Sequence, residues 1–290
     1  MQLVTWNTQW CCGLDGKAAP KRIVDCARAL AGADGFDVLC LQEIAQGFDG
    51  LQGAPRDQPE QLAKLLPDYQ LFFGAAVDEF VPGVGGALQR RRFGNLIATR
   101  LPVRQVEHHR LPWPADGAVP SMPRMVTAVT LDAPGLGLVR VMTTHLEYYS
   151  PRQRMAQAEA LRALHAEACE RATTPPAPSE PQLPFFGKPH TAQAILCGDF
   201  NLEPSEAEYT EIQRAEAAAA PHRWHDAWPL VYGDAPHAPT FRLFDRTYGP
   251  EPISCDFCFV DTSLVPRVRE LRVDGATRAS DHQPVCLVLD

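Results

Sequence analysis

The 290 residues are 45% hydrophobic and 21% charged, a composition that can bury a sizeable core and that excludes disorder over most of the chain. Lys and Arg number 27 against 35 Asp and Glu, a formal net charge of −8; this argues against a surface that grips long nucleic acid non-specifically, though a local basic patch stays open. No run of about 18 apolar residues exists, so no membrane span is expected, and polar Asn7 follows too soon for a signal peptide, so a cytoplasmic location is expected.

Taken in chain order, Gln2–Trp6 is an apolar, β-branched run that predicts a strand ended by Asn7. From Pro20 to about Ala31, Ile23, Val24, Ala27 and Leu30 share one helical face. Val38–Gln42 predicts a strand running into Glu43. Leu71–Gly74 and Asn95–Thr99 predict two more, separated by a loop at Val81–Gly94 that is glycine-rich and then basic through Arg90-Arg91-Arg92. Met125–Leu131 and Leu138–Thr144 follow as strands, the second reaching His145. Ser150, Pro151 and Gln153 form a capping box for a helix to about Arg171.

Thr173–His190 holds six prolines and predicts a long surface loop. Gln193–Cys197 predicts a strand that runs into Gly198-Asp199-Phe200-Asn201. Ser205 and Glu208 form a second capping box before Tyr209 and Ile212. Cys255–Val260 (with Asp256 inside it), Arg267–Val273 and Val285–Leu289 complete the predicted strands, and Asp281-His282 stands just before the last. Strands outnumber helices and do not alternate with them regularly. The expected class is therefore α/β, with two packed β-sheets flanked by helices, and residues 1–290 read as one domain because the motifs on both sides of the proline-rich loop serve one site.

Nine cysteines, an odd number, sit mostly within apolar runs and predict buried free thiols. Cys255 and Cys258 have CxxC spacing, but residues three apart on a strand point to opposite faces, so they do not converge on a metal.

The chemistry is carried by polar groups at the ends of apolar runs, where a rigid scaffold positions side chains. Each alone has a plain structural reading as a turn former or an exposed acid. Together they make a chemical statement. Glu43, Asp199 and Asp281 are hard oxygen donors with neutral Asn7 beside them, a set that suits Mg²⁺ or Mn²⁺. His145, Asn201 and His282 can donate to anionic oxygens, and Asp256 in an apolar strand needs a partner, for which His282 is the candidate. Metal-binding acids beside neutral and cationic donors suit hydrolysis of a phosphate ester.

The ordered motifs Thr5-Trp6-Asn7, Leu41-Gln42-Glu43, Gly94-Asn95, Thr144-His145-Leu146, Gly198-Asp199-Phe200-Asn201, Cys255-Asp256-Phe257 and Ser280-Asp281-His282 resemble the endonuclease/exonuclease/phosphatase (DNase I-like) superfamily over nearly the whole chain. The resemblance implies a four-layered α/β sandwich. It implies that Glu43 binds the catalytic metal with Asn7 nearby and that Asp281 completes the metal or water-positioning network. Asp199 would deprotonate the attacking water. Asn201 and His145 would hold phosphate oxygens, His282 oriented by Asp256 would stabilise charge on the phosphoryl group, and Asn95 would contact substrate. Two positions depart from the pattern: Gln9 where many DNA-repair members carry an acid, and Cys255 where a basic residue is common. Both weaken an assignment to abasic-site endonucleases.

The function expected is a Mg²⁺- or Mn²⁺-dependent phosphoesterase that hydrolyses phosphodiester bonds by attack of water. Its partner is a phosphoester substrate, with nucleic acid open because Arg90-Arg91-Arg92 and Phe93 could contact it; a solvated loop is the plainer reading of that run. The alternatives are a phosphatase of small or lipid-derived phosphomonoesters and, in another class, a non-catalytic scaffold of the same fold.

Overall fold

The computed structural model describes every residue except 54, 176 and 178–187. Ten of the twelve strands coincide with apolar runs: β1 (Gln2–Asn7), β2 (Val38–Gln46), β3 (Gln70–Pro82), β4 (Leu88–Thr99), β6 (Met125–Ala133), β7 (Gly137–His145), β8 (Ala194–Asp199), β10 (Asp256–Asp261), β11 (Val268–Val273) and β12 (Val285–Leu289). The other two are β5 (Val103–Arg110) and the three-residue β9 (Trp224–Asp226). β5 alternates exposed and half-buried residues along a sheet edge, and its Arg, Glu and His content hides it from a search for apolar runs.

The strands form two mixed sheets of six, ordered β11-β12-β1-β2-β4-β3 and β5-β6-β7-β8-β10-β9. Each sheet contains one parallel pair, β1 with β2 and β7 with β8, among antiparallel neighbours. The facing surfaces interlock through Leu3, Val38, Cys40 and Ile97 of one sheet and Val129, Val141, Ile195 and Val260 of the other. Helices α1 (Pro20–Ala31) and α2 (Gln58–Leu65) cover the outer face of the first sheet, where Val4, Trp6, Leu39 and Leu41 meet Ile23, Val24 and Leu62. Helices α3 (Pro151–Thr173) and α4 (Ala207–Gln213) cover the second, where Met142, Leu196 and Phe259 meet Leu161 and Ile212. The six-residue helix α5 (Ala227–Tyr232) places Ala227 in the core between the sheets. Central strands covered on both faces must be apolar at successive positions, which is why β1, β2 and β8 read as unbroken runs. The expected α/β sandwich of two packed sheets flanked by helices is the observed one.

Several local expectations are corrected. Val81–Gly94 is no loop: β3 and β4 pair from Pro82–Leu88 back to Gln70–Thr99 as one long hairpin. Its three arginines stand on a strand, Arg90 paired with Asp78 at 2.7 Å and lying over Phe80, Arg91 over Phe48 and Arg92 over Phe73. Ser205 does not cap α4; the N-cap is Glu206, without a side-chain bond to the helix. The cause is Arg154, which draws Glu206 to 3.0 Å and Glu208 to 3.3 Å. At α3 the capping box is half formed. Ser150 Oγ accepts from the Gln153 N–H at 3.2 Å, while the Gln153 amide donates to the Pro114 carbonyl. Of the proline-rich stretch, residues 176 and 178–187 lie outside the described residues. All nine cysteines are free. No helix among the described residues is long and apolar enough to cross a membrane.

Candidate active site

The parallel pairs and their antiparallel neighbours bring one kind of strand end to one edge of both sheets. β1, β7 and β8 finish there with Asn7, His145 and Asp199; β10 and β12 run the other way and start there, with Asp256 at the head of β10 and Asp281-His282 before β12. Glu43 arrives differently. It is not past the end of its strand but inside β2, at a register shift between Leu41 and Ile44, with φ of 59°. Such a bulge re-aims one side chain out of the ladder, here into the cleft. Gly198 allows the closest approach: it sits at φ of 137°, and a Cβ there would lie 2.0 Å from the Thr144 carbonyl oxygen. Only glycine lets β8 pair with β7 so that Asp199 comes opposite His145.

The structure brings seven of the expected residues into contact. Asn7 Nδ2 donates to Asp199 Oδ2 at 2.8 Å and to Glu43 Oε1 at 3.2 Å. Asp199 Oδ1 accepts the Asn201 N–H at 2.9 Å. His282 Nδ1 lies 2.9 Å from Asp256 Oδ2, and its Nε2 faces Asp199 Oδ2 at 3.6 Å. Three further contacts hold the His282 ring: Phe241 stacks on it at 4.3 Å, its carbonyl accepts from Trp6 Nε1, and its N–H donates to Ser280 Oγ. Asp281 lines the same cleft, and Ser280 Oγ ties that loop to the Asn7 carbonyl at 2.8 Å. Asp256 is the first residue of β10 rather than an interior one; Thr240 Oγ1 accepts its N–H, and its Oδ1 is buried without a hydrogen-bond partner among the described residues.

Two expected residues are engaged differently. Asn201 Nδ2 donates to His145 Nε2 and to the Leu146 carbonyl, both at 2.9 Å, so its amide hydrogens are occupied within the protein. That bond leaves the His145 proton on Nδ1, 3.8 Å from Glu43 Oε1. Asn95 stands behind the cleft floor, where Nδ2 donates to the Met125 and Thr143 carbonyls and bridges the two sheets. It lies outside that cleft and lines, with Glu43, Arg124 and His145, the small recess behind it.

The electrostatics follow from burial. Glu43 is pushed up to about 7, first by burial and then by the negative charge of Asp281. Asp199 is pushed up to about 6, again by burial first, and Asp281 is raised by the same cause. Despite His282 beside them, burial and mutual repulsion hold these three acids above their ordinary values, and a divalent ion would relieve all three. Burial pulls His145 well below the usual imidazole value, with Arg124 and His282 acting in the same direction, so it is neutral near pH 7. Burial also opposes the charge on His282, but Asp256 and Asp199 outweigh it and raise that residue well above its ordinary value. Cys255 Sγ is close enough to Asp199 and His282 for the three to form a metal-sized group. Burial, reinforced by Asp256, raises its thiol well above the ordinary value, so it remains a neutral neighbour and not a thiolate ligand.

The cleft encloses about 230 Å³. Phe93, singled out beside the arginine run, lines it as well; the rest of the aromatic rim, Trp10, Tyr148, Tyr149 and Tyr248, went unrecognised in the sequence, as did Arg124. Arg124 immediately precedes β6, which is antiparallel to β7, so the start of β6 shares an edge with the end of β7. Searching only past strand C-termini overlooks that position. Trp10, Tyr148, Tyr149 and Tyr248 lie in loops and carry no periodic signal, while Phe93 stands on β4.

The family model for the endonuclease/exonuclease/phosphatase family matches residues 4–282, and the chain belongs to that family. A solved endonuclease/exonuclease/phosphatase from Beutenbergia cavernae superposes with a TM-score of 0.69 at 24% identity, covering all of this chain and 71% of that one. A mannosyl-6-phosphatase from Bacteroides thetaiotaomicron gives 0.65 at 19% identity, with 100% and 99% covered. A 3′ phosphatase from Neisseria bound to a product DNA hairpin gives 0.57 at 19% identity, also with 100% and 99% covered. At these identities the likeness concerns the fold. No curated protein sequence matches the chain.

Proposed function

We propose that this family member is a divalent-metal-dependent phosphoesterase that attacks its substrate with water. The observation that carries the reading is the convergence of Glu43, Asp281 and Asn7 on the same buried cleft as Asp199 and the Asp256–His282 pair. The donor set fits the metal: hard carboxylate oxygens, all held above their ordinary values chiefly by burial. Glu43 and Asp281 would hold the ion with Asn7 beside them; when bound it would neutralise phosphate charge. Asp199, drawn up to about 6, has the basicity to take a proton from water near neutral pH and is aimed by Asn7 and the Asn201 N–H. His282, kept protonated by Asp256, presents Nε2–H to the oxygen on which charge accumulates. His145 and Asn201 buttress Asp199 from the opposite side.

A second reading within this class concerns the substrate. The nuclease reading drew on Arg90-Arg91-Arg92, and each of these lies over one of the protein's own phenylalanines, with Arg90 paired to Asp78. A cleft of about 230 Å³ rimmed by tyrosines favours a small phosphoester over a long duplex. The named phosphatases among the structural neighbours are consistent with either.

The test is a panel of phosphomonoesters and phosphodiesters with Mg²⁺, Mn²⁺ and EDTA. Hydrolysis that appears with metal and vanishes with EDTA is expected. Absence of hydrolysis of every ester, together with no calorimetric Mg²⁺ or Mn²⁺ binding, would leave a scaffold that kept the fold and lost the chemistry.

A further inference from the structure

Among the described residues Arg124 is the one guanidinium lining the cleft, only 6% exposed. A guanidinium carries five N–H donors. Among the described residues its Nε is buried without a hydrogen-bond partner. Its nearest acid is Glu147, whose Oε2 lies 3.7 Å from Nε, beyond hydrogen-bond reach. That carboxylate is already engaged: it accepts from the Met122 N–H at 3.3 Å and the Tyr149 N–H at 3.0 Å. Burial opposes the Arg124 charge more than the negative charges of Glu147, Glu43 and Asp199 support it, so a further anionic partner would be favourable.

The geometry supplies the place for that completion. Arg124 lines the main cleft together with Glu43, His145, Asp199 and His282, and also the small recess behind it beside Asn95. The neighbouring amide expected to hold phosphate is occupied, because Asn201 donates to His145 and to the Leu146 carbonyl. That leaves His282 Nε2 and the guanidinium as the free cationic donors of the wall. A guanidinium fork matches two phosphate oxygens and an imidazolium N–H a third. A phosphomonoester presents three non-bridging oxygens and a diester two.

Resting on the phosphoesterase reading above, we propose that Arg124 grips the phosphate of the substrate and makes the cleft selective for a terminal phosphate, a phosphomonoester, over a diester.

The test separates this from a structural role for Arg124 as the partner of Glu147. Binding of inorganic phosphate is measured by calorimetry for wild type, Glu147→Gln, Arg124→Lys and the neutral pair Arg124→Met with Glu147→Gln, which removes both buried charges at similar volume. Phosphate affinity should fall about 10- to 100-fold in the neutral pair and roughly tenfold in Arg124→Lys, and stay unchanged in Glu147→Gln. Should the neutral pair not fold, Arg124→Lys carries the test, since lysine keeps the charge beside Glu147 and lacks the fork. In parallel, kcat/KM for p-nitrophenyl phosphate should fall at least tenfold more than that for bis-p-nitrophenyl phosphate. Unchanged phosphate affinity in the Arg124 variants overturns the proposal, and equal losses on both esters overturn its selectivity. If no ester is hydrolysed by wild type while phosphate affinity still depends on Arg124, the anion site stands and the phosphoesterase reading falls.

Discussion

Strand β10 carries an aspartate at each end, and each meets histidine, yet the two ends are built to opposite purposes. At the far end Asp261 is completely buried and fully engaged: it accepts from the Ser263 N–H and lies 3.0 Å from both His165 and His222. Although burial alone would raise it, hydrogen bonds from His165, Ser263 and His222 bring it down to about 2. Arg140 donates to His165 Nδ1 at 3.1 Å, which leaves the ring proton on Nε2, facing Asp261. His165 also stacks on Trp224 at 4.0 Å. Cys169 lies 3.7 Å from Nε2, so the residues resemble a metal group, but every lone pair that a metal would use has its proton or partner. At the cleft end Asp256 holds one histidine, keeps one oxygen unpartnered, and leaves the second ring nitrogen of that histidine in the cleft, 3.6 Å from Asp199 Oδ2. The same pair of residue types becomes a strut or a reactive group according to what meets the remaining nitrogen.

Substitutions at the two ends should fail in different assays. Beside the cleft end, Glu43→Gln on β2 keeps shape and loses charge: calorimetric Mg²⁺ or Mn²⁺ affinity should drop by at least about tenfold, a loss of roughly 1.4 kcal/mol or more, with the fold intact by circular dichroism. Unchanged affinity would remove Glu43 from the site. Asp256→Asn should cut kcat about 100- to 1000-fold while leaving Tm nearly in place. Asp261→Asn should do the reverse, costing on the order of 2–3 kcal/mol of stability through a broken buried network with kcat unchanged. Equal losses of turnover and stability in both variants would erase the distinction between the ends.

The smallest effect is in the pH dependence of stability, where the ends respond with opposite sign. Glu43 is raised to about 7 in the folded, metal-free chain, so the folded state takes up a proton before the unfolded one. Relative to Glu43→Gln, wild type should therefore gain stability as pH falls from about 7 to the ordinary glutamate range. Asp261 is lowered to about 2, so its contribution is complete above the ordinary aspartate value of 3.8 and is lost as pH falls toward 2. Urea melts of wild type against Asp261→Asn should differ by a constant amount above about pH 4, a difference that shrinks below it. A difference that already shrinks between pH 7 and 5 would mean that Asp261 is not the depressed group.

The layout of the molecule was legible wherever burial on both faces forces apolar runs, as in β1, β2, β7 and β8, and hidden where it does not, as in β5 and the extended β3–β4 hairpin. The residues of the cleft were legible because Asn7, Glu43, His145, Asp199, Asp281 and His282 interrupt those runs abruptly. Their partnerships were less so. That Asn201 donates to His145, or that Asn95 faces two backbone carbonyls, depends on distances between strands that no local pattern encodes. Arg124 escaped because the direction of β6 had to be known first. The second capping box misled because Arg154, far away in sequence, competes for Glu206 and Glu208.

The pairing of β1 with β12 sets the order in which this molecule can come into being. Gln2 through Thr5 lie beside Val285 through Val288, and the Ser280 hydroxyl that braces the cleft reaches back 273 residues to the Asn7 carbonyl. On the ribosome, β1 emerges well before β12 and waits beside an unfilled neighbouring position until that partner is made. The first sheet therefore closes only after synthesis of both halves, through contacts of very long sequence separation, which makes folding slow and leaves a strand edge exposed meanwhile. Asn7 and His282 meet only at that closing step, so a nascent chain has no assembled cleft with which to act.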